Sequence, residues 1–156
     1  MRIATELRRF LDREFIPYEL LSHPKTDTST ETAAVTGVTG DALAKAVVID
    51  DQTRFMAAII PATHRLELGT LHQRLGQHVG LATEAEVRLL FADCEDGAVP
   101  GLAQAYGLDV VVDDALLHLD DVYFEAGNHA HLVHVTGNMF RGLMSSVDHG
   151  EISRHV

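Results

Sequence analysis

The chain has 156 residues with 46% hydrophobic composition, enough for one ordinary core in one domain without staples. Its 12 Lys and Arg face 23 Asp and Glu, a net charge of −11; this argues against gripping a long stretch of nucleic acid, which requires neutralising phosphates, but is compatible with brief contact with an RNA's single-stranded end. A single cysteine, Cys94, excludes an internal disulfide, and the absence of a signal-peptide core or an apolar run of roughly 18 residues predicts a soluble, cytoplasmic protein with no membrane partner.

Ile3, Leu7, Phe10, Leu11 and Phe15 share one helical face over residues 3–15, and Pro17 ends that helix. YELL (18–21) is a strand candidate. In the polar stretch that follows, Thr28 and Glu31 stand at capping-box spacing before a short helix through Ala33, Ala34 and Val35, closed by Gly37 and Gly40. KAVVID (45–50) and RFMAAII (54–60) are apolar runs separated by Asp51-Gln52-Thr53; they predict a β-hairpin whose second strand stops at Pro61. LGTLHQRLGQ (68–77) has leucines at helical spacing. Thr83 and Glu86 form a second capping box, opening a helix over 84–91. CEDGAVPGLAQAYG (94–107) reads as an ordered loop. DVVVD (109–113), DVYFEAG (121–127) and HLVHVTG (131–137) read as strands, and NMFRGLMSSV (138–147) as a closing helix with a frayed tail beyond it. The expected organisation is a single domain over 1–156 with its core at about 3–147. Short turns join several strand pairs, so the fold class is α/β of the α+β type: a mixed, largely antiparallel curved sheet with surrounding helices.

Several residues are candidates for chemistry. Lys45, one of two lysines beside Lys25, opens an apolar strand. An ammonium there could hold a phosphate or a carbonyl oxygen as a point charge; the alternative is a solvated strand-end lysine. The small residues Gly97-Ala98-Val99-Pro100-Gly101 would let backbone approach a ligand and offer N–H groups to an oxyanion or a water. The alternative is a surface turn, and Glu95 and Asp96 just before it make a poor phosphate cradle. In Gly127-Asn128-His129-Ala130-His131, strand alternation would set His129 and His131 on one side, a zinc-like pair lacking a third ligand. Without metal, Asn128 and His129 would reach the substrate's amino group or a water; the alternative is a tight turn with satisfied side chains. Thr28 is explained by capping alone, leaving a hydroxyl of that segment or His23 facing a cleft as the functional option. There is no Gly-x-Ser-x-Gly, Walker loop or dinucleotide fingerprint. Cys94 reads as a small buried residue, so any chemistry runs without a protein nucleophile.

Four segments in register, YELLSHPKTDTSTETAA, LAKAVVID, FADCEDGAVPGLAQAYGL and VYFEAGNHAHLVHV, resemble the YbaK/prolyl-tRNA synthetase-associated domain family of aminoacyl-tRNA deacylases. Lys45 falls on that family's lysine. The loop matches its Gly-x-x-x-Pro pattern with two departures: Gly101 stands at the proline, with Pro100 one position early, and Ala103 stands where glycine is common. The resemblance implies a YbaK-like fold and a free-standing, trans-acting hydrolase that removes a small amino acid from a mischarged tRNA. Water would cleave the ester with help from the neighbouring ribose hydroxyl. Lys45 would orient the terminal nucleotide, and the Gly97–Gly101 backbone, including Ala98 and Val99, would hold the carbonyl or the water. His23, Thr28, Ser29, Pro100, Gly101, Gly127, Asn128 and His129 would lie about the substrate, with Lys25 or Arg141 at the rim. No metal and no cofactor are implied. The partner is aminoacyl-tRNA, held weakly by its acceptor end only, with a synthetase as a docking option. Two alternatives stay open: a non-catalytic nucleotide- or partner-binding module on the same fold, and a metal-dependent hydrolase built on His129 and His131.

Overall fold

A computed structural model describes residues 2–156. Five helices, α1 (Thr5–Arg13), α2 (Ser29–Thr36), α3 (Leu68–Leu75), α4 (Glu84–Leu90) and α5 (Gly137–Leu143), accompany ten strands. The strands are β1 (Glu19–Ser22), β2 (Ala44–Asp50), β3 (Phe55–Pro61), β4 (His64–Leu66), β5 (Gly80–Leu81), β6 (Asp109–Asp113), β7 (Asp121–Glu125), β8 (His131–Thr136), β9 (Asp148–Gly150) and β10 (Ser153–His155). They form a five-stranded sheet in the order β5-β2-β3-β6-β9, a three-stranded sheet β1-β8-β7 and a ribbon β10-β4. Among the described residues only the β3–β6 and β6–β9 strand pairs are parallel.

The strands β3 and β6 are buried on both faces, so their sequences read as unbroken apolar runs rather than alternations. Ala57, Ile59, Val110 and Val112 face a core shared with Val122, Phe124, Val133 and Val135 of the three-stranded sheet, Leu7 and Leu11 of α1, and Phe140 of α5. Met56, Ala58, Ile60 and Val111 face a second core closed by Leu71, Val79 and Ile152. The hairpin pairs Ala44 with Pro61 through to Asp50 with Phe55. Its turn is held by the Asp51 carboxylate, which accepts from Thr53 N–H, the Thr53 hydroxyl and Arg54 N–H. Those bonds hold the Asp51 carboxyl down at about 2.

Three local expectations need correction. Phe15 does not join the apolar face of α1: it takes φ 55° and is 89% exposed. The helix reverses there, with Ile16 N–H donating to Leu11 O, before Pro17 is reached. The box at Thr28 is half made, since Glu31 N–H donates to Thr28 Oγ1 while the Glu31 carboxylate accepts from Asp27 N–H. The tail is not frayed: β9 pairs with β6, β10 pairs with β4, and Ile152 between them is fully buried. Asp113 fastens it by accepting from Ile152 N–H and the Ser153 hydroxyl. The short strands β4 and β5 were unannounced, because two or three residues carry no readable period.

Under α2 lies a buried carboxylate. Glu125 is 3% exposed; its Oε1 lies 3.2 Å from Thr32 Oγ1, which is 2.6 Å from Thr26 Oγ1. Burial pushes the Glu125 carboxyl from 4.5 up to about 7, against the smaller opposing effect of the Thr32 bond. The folded chain therefore binds this proton more tightly than the unfolded chain. Its contribution to stability is present at low pH and is lost as pH rises from 4.5 through about 7. Glu125→Gln should remove that slope and raise Tm at pH 8 by roughly 3–6 °C. Tm measured against pH for both proteins tests this; parallel curves would refute it.

Candidate active site

Along most of its length the outer edge of β2 has no strand beside it, because β5 reaches only Ile49 and Asp50. The loop 94–101 is laid there instead, with Lys45 bridged to Pro100. Between β2, α4 and this loop opens a cleft of about 320 Å³. Its floor is apolar, built from Ala46, Val48, Val87, Phe91 and Val99. Its mouth is polar: Ser29, Lys45, Arg88, Glu84, Glu95, Asp96 and Gly97.

Lys45 is half-buried, and desolvation lowers its pKa below 10.5. Among the described residues no carboxylate pairs with it and no acceptor bonds it. A desolvated cation without a partner is costly. The loop facing it is tightly specified. Gly97 has φ 78°, and a Cβ there would meet His129 Cε1 at 3.4 Å. Gly101 lies flat on β2, where a Cβ would stand 2.5 Å from Ala44 O. His129 braces the loop from behind: its N–H donates to Glu95 Oε1 at 3.0 Å, and its ring Nε2 bonds Asp96 O. The Glu95 carboxyl is lowered chiefly by that N–H. Asp96 is paired with Arg88 at 3.0 Å.

Residues 23–143 match the family model described as the aminoacyl-tRNA editing domain. The chain belongs to the aminoacyl-tRNA editing domain family. Among solved structures it is similar to the protein APE2540, with 25% identity and a TM-score of 0.84 over 96% of this chain and 99% of that one. It has the fold of a candidate trans-editing enzyme for prolyl tRNA synthetase, with 23% identity and a TM-score of 0.84 over 97% of this chain and 96% of that one. The same fold covers 30% of a candidate signal transduction protein from Marinobacter aquaeolei VT8, with 20% identity and a TM-score of 0.76 over 95% of this chain. No curated protein sequence matches it.

Of the residues anticipated for an editing site, this editing domain brings Lys45, Ser29, Gly97 and Val99 to the cleft. The others lie behind it. Ala98 is fully buried and its N–H donates to Glu95 O at 3.1 Å, so that donor is spent within the loop. Pro100 and Gly101 fix the loop to β2. Thr28 caps α2. His23 donates its N–H to Ala130 O, and its Nδ1 lies 2.7 Å from Pro24 O. Gly127, at φ 98°, lets Ala4 pack where a Cβ would meet it at 2.6 Å. Asn128 accepts from Ala130 N–H, donates to Arg2 O and contacts His131 Nδ1. His129 precedes β8 instead of sitting on it, so it does not share a strand face with His131. Among the described residues no group of three His, Cys, Asp or Glu is placed to hold a metal. Lys25 reaches Glu95 at 3.6 Å beside the mouth. Arg141 instead binds the carbonyls of Leu117 and Leu119, outside the cleft lining.

Sequence reading missed the apolar floor and Arg88. The signal was present in Val87 and Phe91, which stand four apart and share a face at the C-terminal end of α4. Cys94 also lines the cleft, but burial pushes its thiol up to about 12, and it packs 3.3 Å from Tyr106 Oη. A thiol held there supplies no thiolate at neutral pH. Cys94→Ala should retain activity within about threefold, and iodoacetamide should alkylate the native protein slowly. Rapid modification coupled to inactivation would contradict this.

Proposed function

We propose that this editing domain acts in trans to hydrolyse the ester of a mischarged tRNA bearing a small amino acid. The observation that carries the reading is the unpartnered, half-buried ammonium of Lys45 at the mouth of a small apolar cleft. In this scheme the side chain of the amino acid lies on Val48, Val87 and Phe91, whose bulk excludes larger side chains; each excluded methylene is worth about 1–3 kcal/mol. The α-ammonium faces the carboxylates of Glu95 and Asp96. Water adds to the ester carbonyl carbon, Lys45 stabilises the oxyanion, and the intermediate collapses with the ribose oxygen leaving and taking up a proton. The products are the free amino acid and an intact tRNA end. No covalent intermediate on the protein is required, in keeping with the Cys94 thiol being pushed up to about 12.

A structural neighbour described as a candidate trans-editing enzyme for prolyl tRNA synthetase supports action in trans and a synthetase as partner. Among the described residues no helix is long and apolar enough to cross a membrane; the proposed setting is the cytoplasm. The test is release of amino acid from a panel of mischarged tRNAs, with alanine, serine and threonine among the acyl groups. Turnover of at least one small acyl group is expected. No turnover by folded protein across the panel would replace this reading with a non-catalytic binding module.

A further inference from the structure

In the three-stranded sheet, Val133 and Val135 of β8 face the core, so His134 between them faces outward. There it stands opposite Glu19 of the edge strand β1 and opposite Tyr123 of β7. Its Nδ1 lies 2.6 Å from Glu19 Oε1 and its Nε2 lies 2.7 Å from Asp121 Oδ1. Its ring stacks on Tyr123 with centroids 4.6 Å apart. We propose that His134 is a proton-operated clasp: as an imidazolium it ties β1 to β7 across β8, and loss of one proton releases the edge strand. The clasp lies outside the cleft lining and does not depend on the deacylase reading.

Hydrogen-bond valence carries the argument. A neutral imidazole has one N–H and one lone pair, while an ionised carboxylate only accepts. Both ring nitrogens lie at bonding distance from carboxylate oxygens, so a neutral ring would turn a lone pair on one of them. The doubly protonated ring satisfies both contacts. The titratable groups facing it are Glu19 from β1 and Asp121 and Tyr123 from β7. Among the described residues His134 is the one ion-pair partner of either carboxylate. Burial lowers the His134 pKa, but the bonds to Asp121 and Glu19 outweigh burial, and the net shift is upward from 6.5. The clasp is therefore fully present below 6.5 and is lost as pH rises through the raised value. What it holds is the open edge of the sheet, since among the described residues β1 pairs with β8 alone. Beyond β1 the chain runs to His23 and Thr26, whose N–H groups donate to Ala130 O and His129 O. His129 in turn braces the cleft loop through Asp96 O. The proton on His134 thus governs the strand that leads into that brace.

The experiment follows the histidine ring signals of the full chain by NMR as pH is raised, with His134 assigned by its absence from His134→Gln. The His134 midpoint should lie above 6.5, with protons on both ring nitrogens below it. Glu19→Gln and Asp121→Asn should each lower that midpoint, and the double variant should lower it furthest. Release of the edge strand is read by amide hydrogen exchange, corrected for intrinsic rates. It is measured in a Glu125→Gln background, which removes the carboxyl on the same sheet that titrates at about 7. Protection of the β1 amides should fall about three- to tenfold from below to above the His134 midpoint, while β3 stays unchanged. Adding His134→Gln should leave β1 weakly protected at both pH values. Three results each refute the clasp: a midpoint at or below 6.5, a midpoint that neither carboxylate variant moves, or an undiminished pH-dependent loss of β1 protection in His134→Gln. If His134→Gln does not fold, Glu19→Gln, at an exposed position, takes its place. There the fall in β1 protection should shrink to less than half, and an undiminished fall refutes the clasp.

Discussion

Replacing Lys45 with alanine is expected to lower deacylation by at least about 100-fold while leaving the protein folded. The two halves of that expectation come from one observation. The ammonium is half-buried, its pKa is lowered by desolvation, and among the described residues it has no partner. In the proposed mechanism that free ammonium is the group that meets the substrate, so its loss should remove activity. Because no native contact depends on its charge, its loss does not unfold the chain. The sign of the stability effect follows. A lysine whose folded pKa is below 10.5 sheds its proton more readily in the native state, so its charge disfavours folding at neutral pH. That penalty is relieved as pH rises past the lowered pKa. Lys45→Met should therefore match or exceed wild type in Tm at pH 7 while being as inactive as the alanine variant. In wild type, the alkaline loss of activity should fall below the ordinary lysine range. Full activity in both variants would return Lys45 to a solvated strand end. Loss of activity accompanied by a large drop in Tm would make it structural.

The second large effect concerns Gly101. Gly-x-x-x-Pro is the pattern of the resembled family, which suggests that Gly101→Pro would restore something lost. The packing predicts the opposite. Any Cβ at 101 stands 2.5 Å from Ala44 O and 2.9 Å from Ala44 C, and both obstacles are backbone of β2. Neither can rotate away, so the loop must lift from the strand. Gly101→Pro and Gly101→Ala should each cost about 1–3 kcal/mol, a Tm loss of roughly 3–10 °C. Activity should fall more than stability, because the lifted segment carries Gly97 and Val99 away from Lys45. Thermal melts with deacylation assayed well below Tm separate the two effects. A Gly101→Pro protein as stable and active as wild type would show that the loop accommodates the family residue by a path absent here.

Local chemistry was legible in the sequence wherever neighbouring residues decide it. The hairpin of β2 and β3 follows from two apolar runs around Asp51, whose carboxylate accepts three of the bonds that hold the turn. The helix α4 follows from Thr83 and Glu86, which cap each other reciprocally. Lys45 and the glycine loop stood out because they fall on the lysine and the Gly-rich loop of the resembled family; residue type alone left a solvated strand end and a surface turn open. What the sequence could not disclose is where side chains end up once distant segments meet. The stretch Gly127–His129 looked like a substrate-facing turn. It is buried between α1 and the loop, because Ala4 fills the space that a side chain at 127 would need. Val87 and Phe91 floor the cleft because β5 covers the edge of β2 only at Ile49 and Asp50. The tail looked frayed because Ile152 is its one long apolar side chain between residue 148 and residue 155. A single anchor has no period to detect, yet it is buried under Asp113, roughly forty residues earlier in the chain. Capping, turns and strand runs are set within a few residues. Burial, the pairing or isolation of a charge, and which face of a strand becomes a site depend on contacts between segments far apart in the chain, and those exist only in the folded protein.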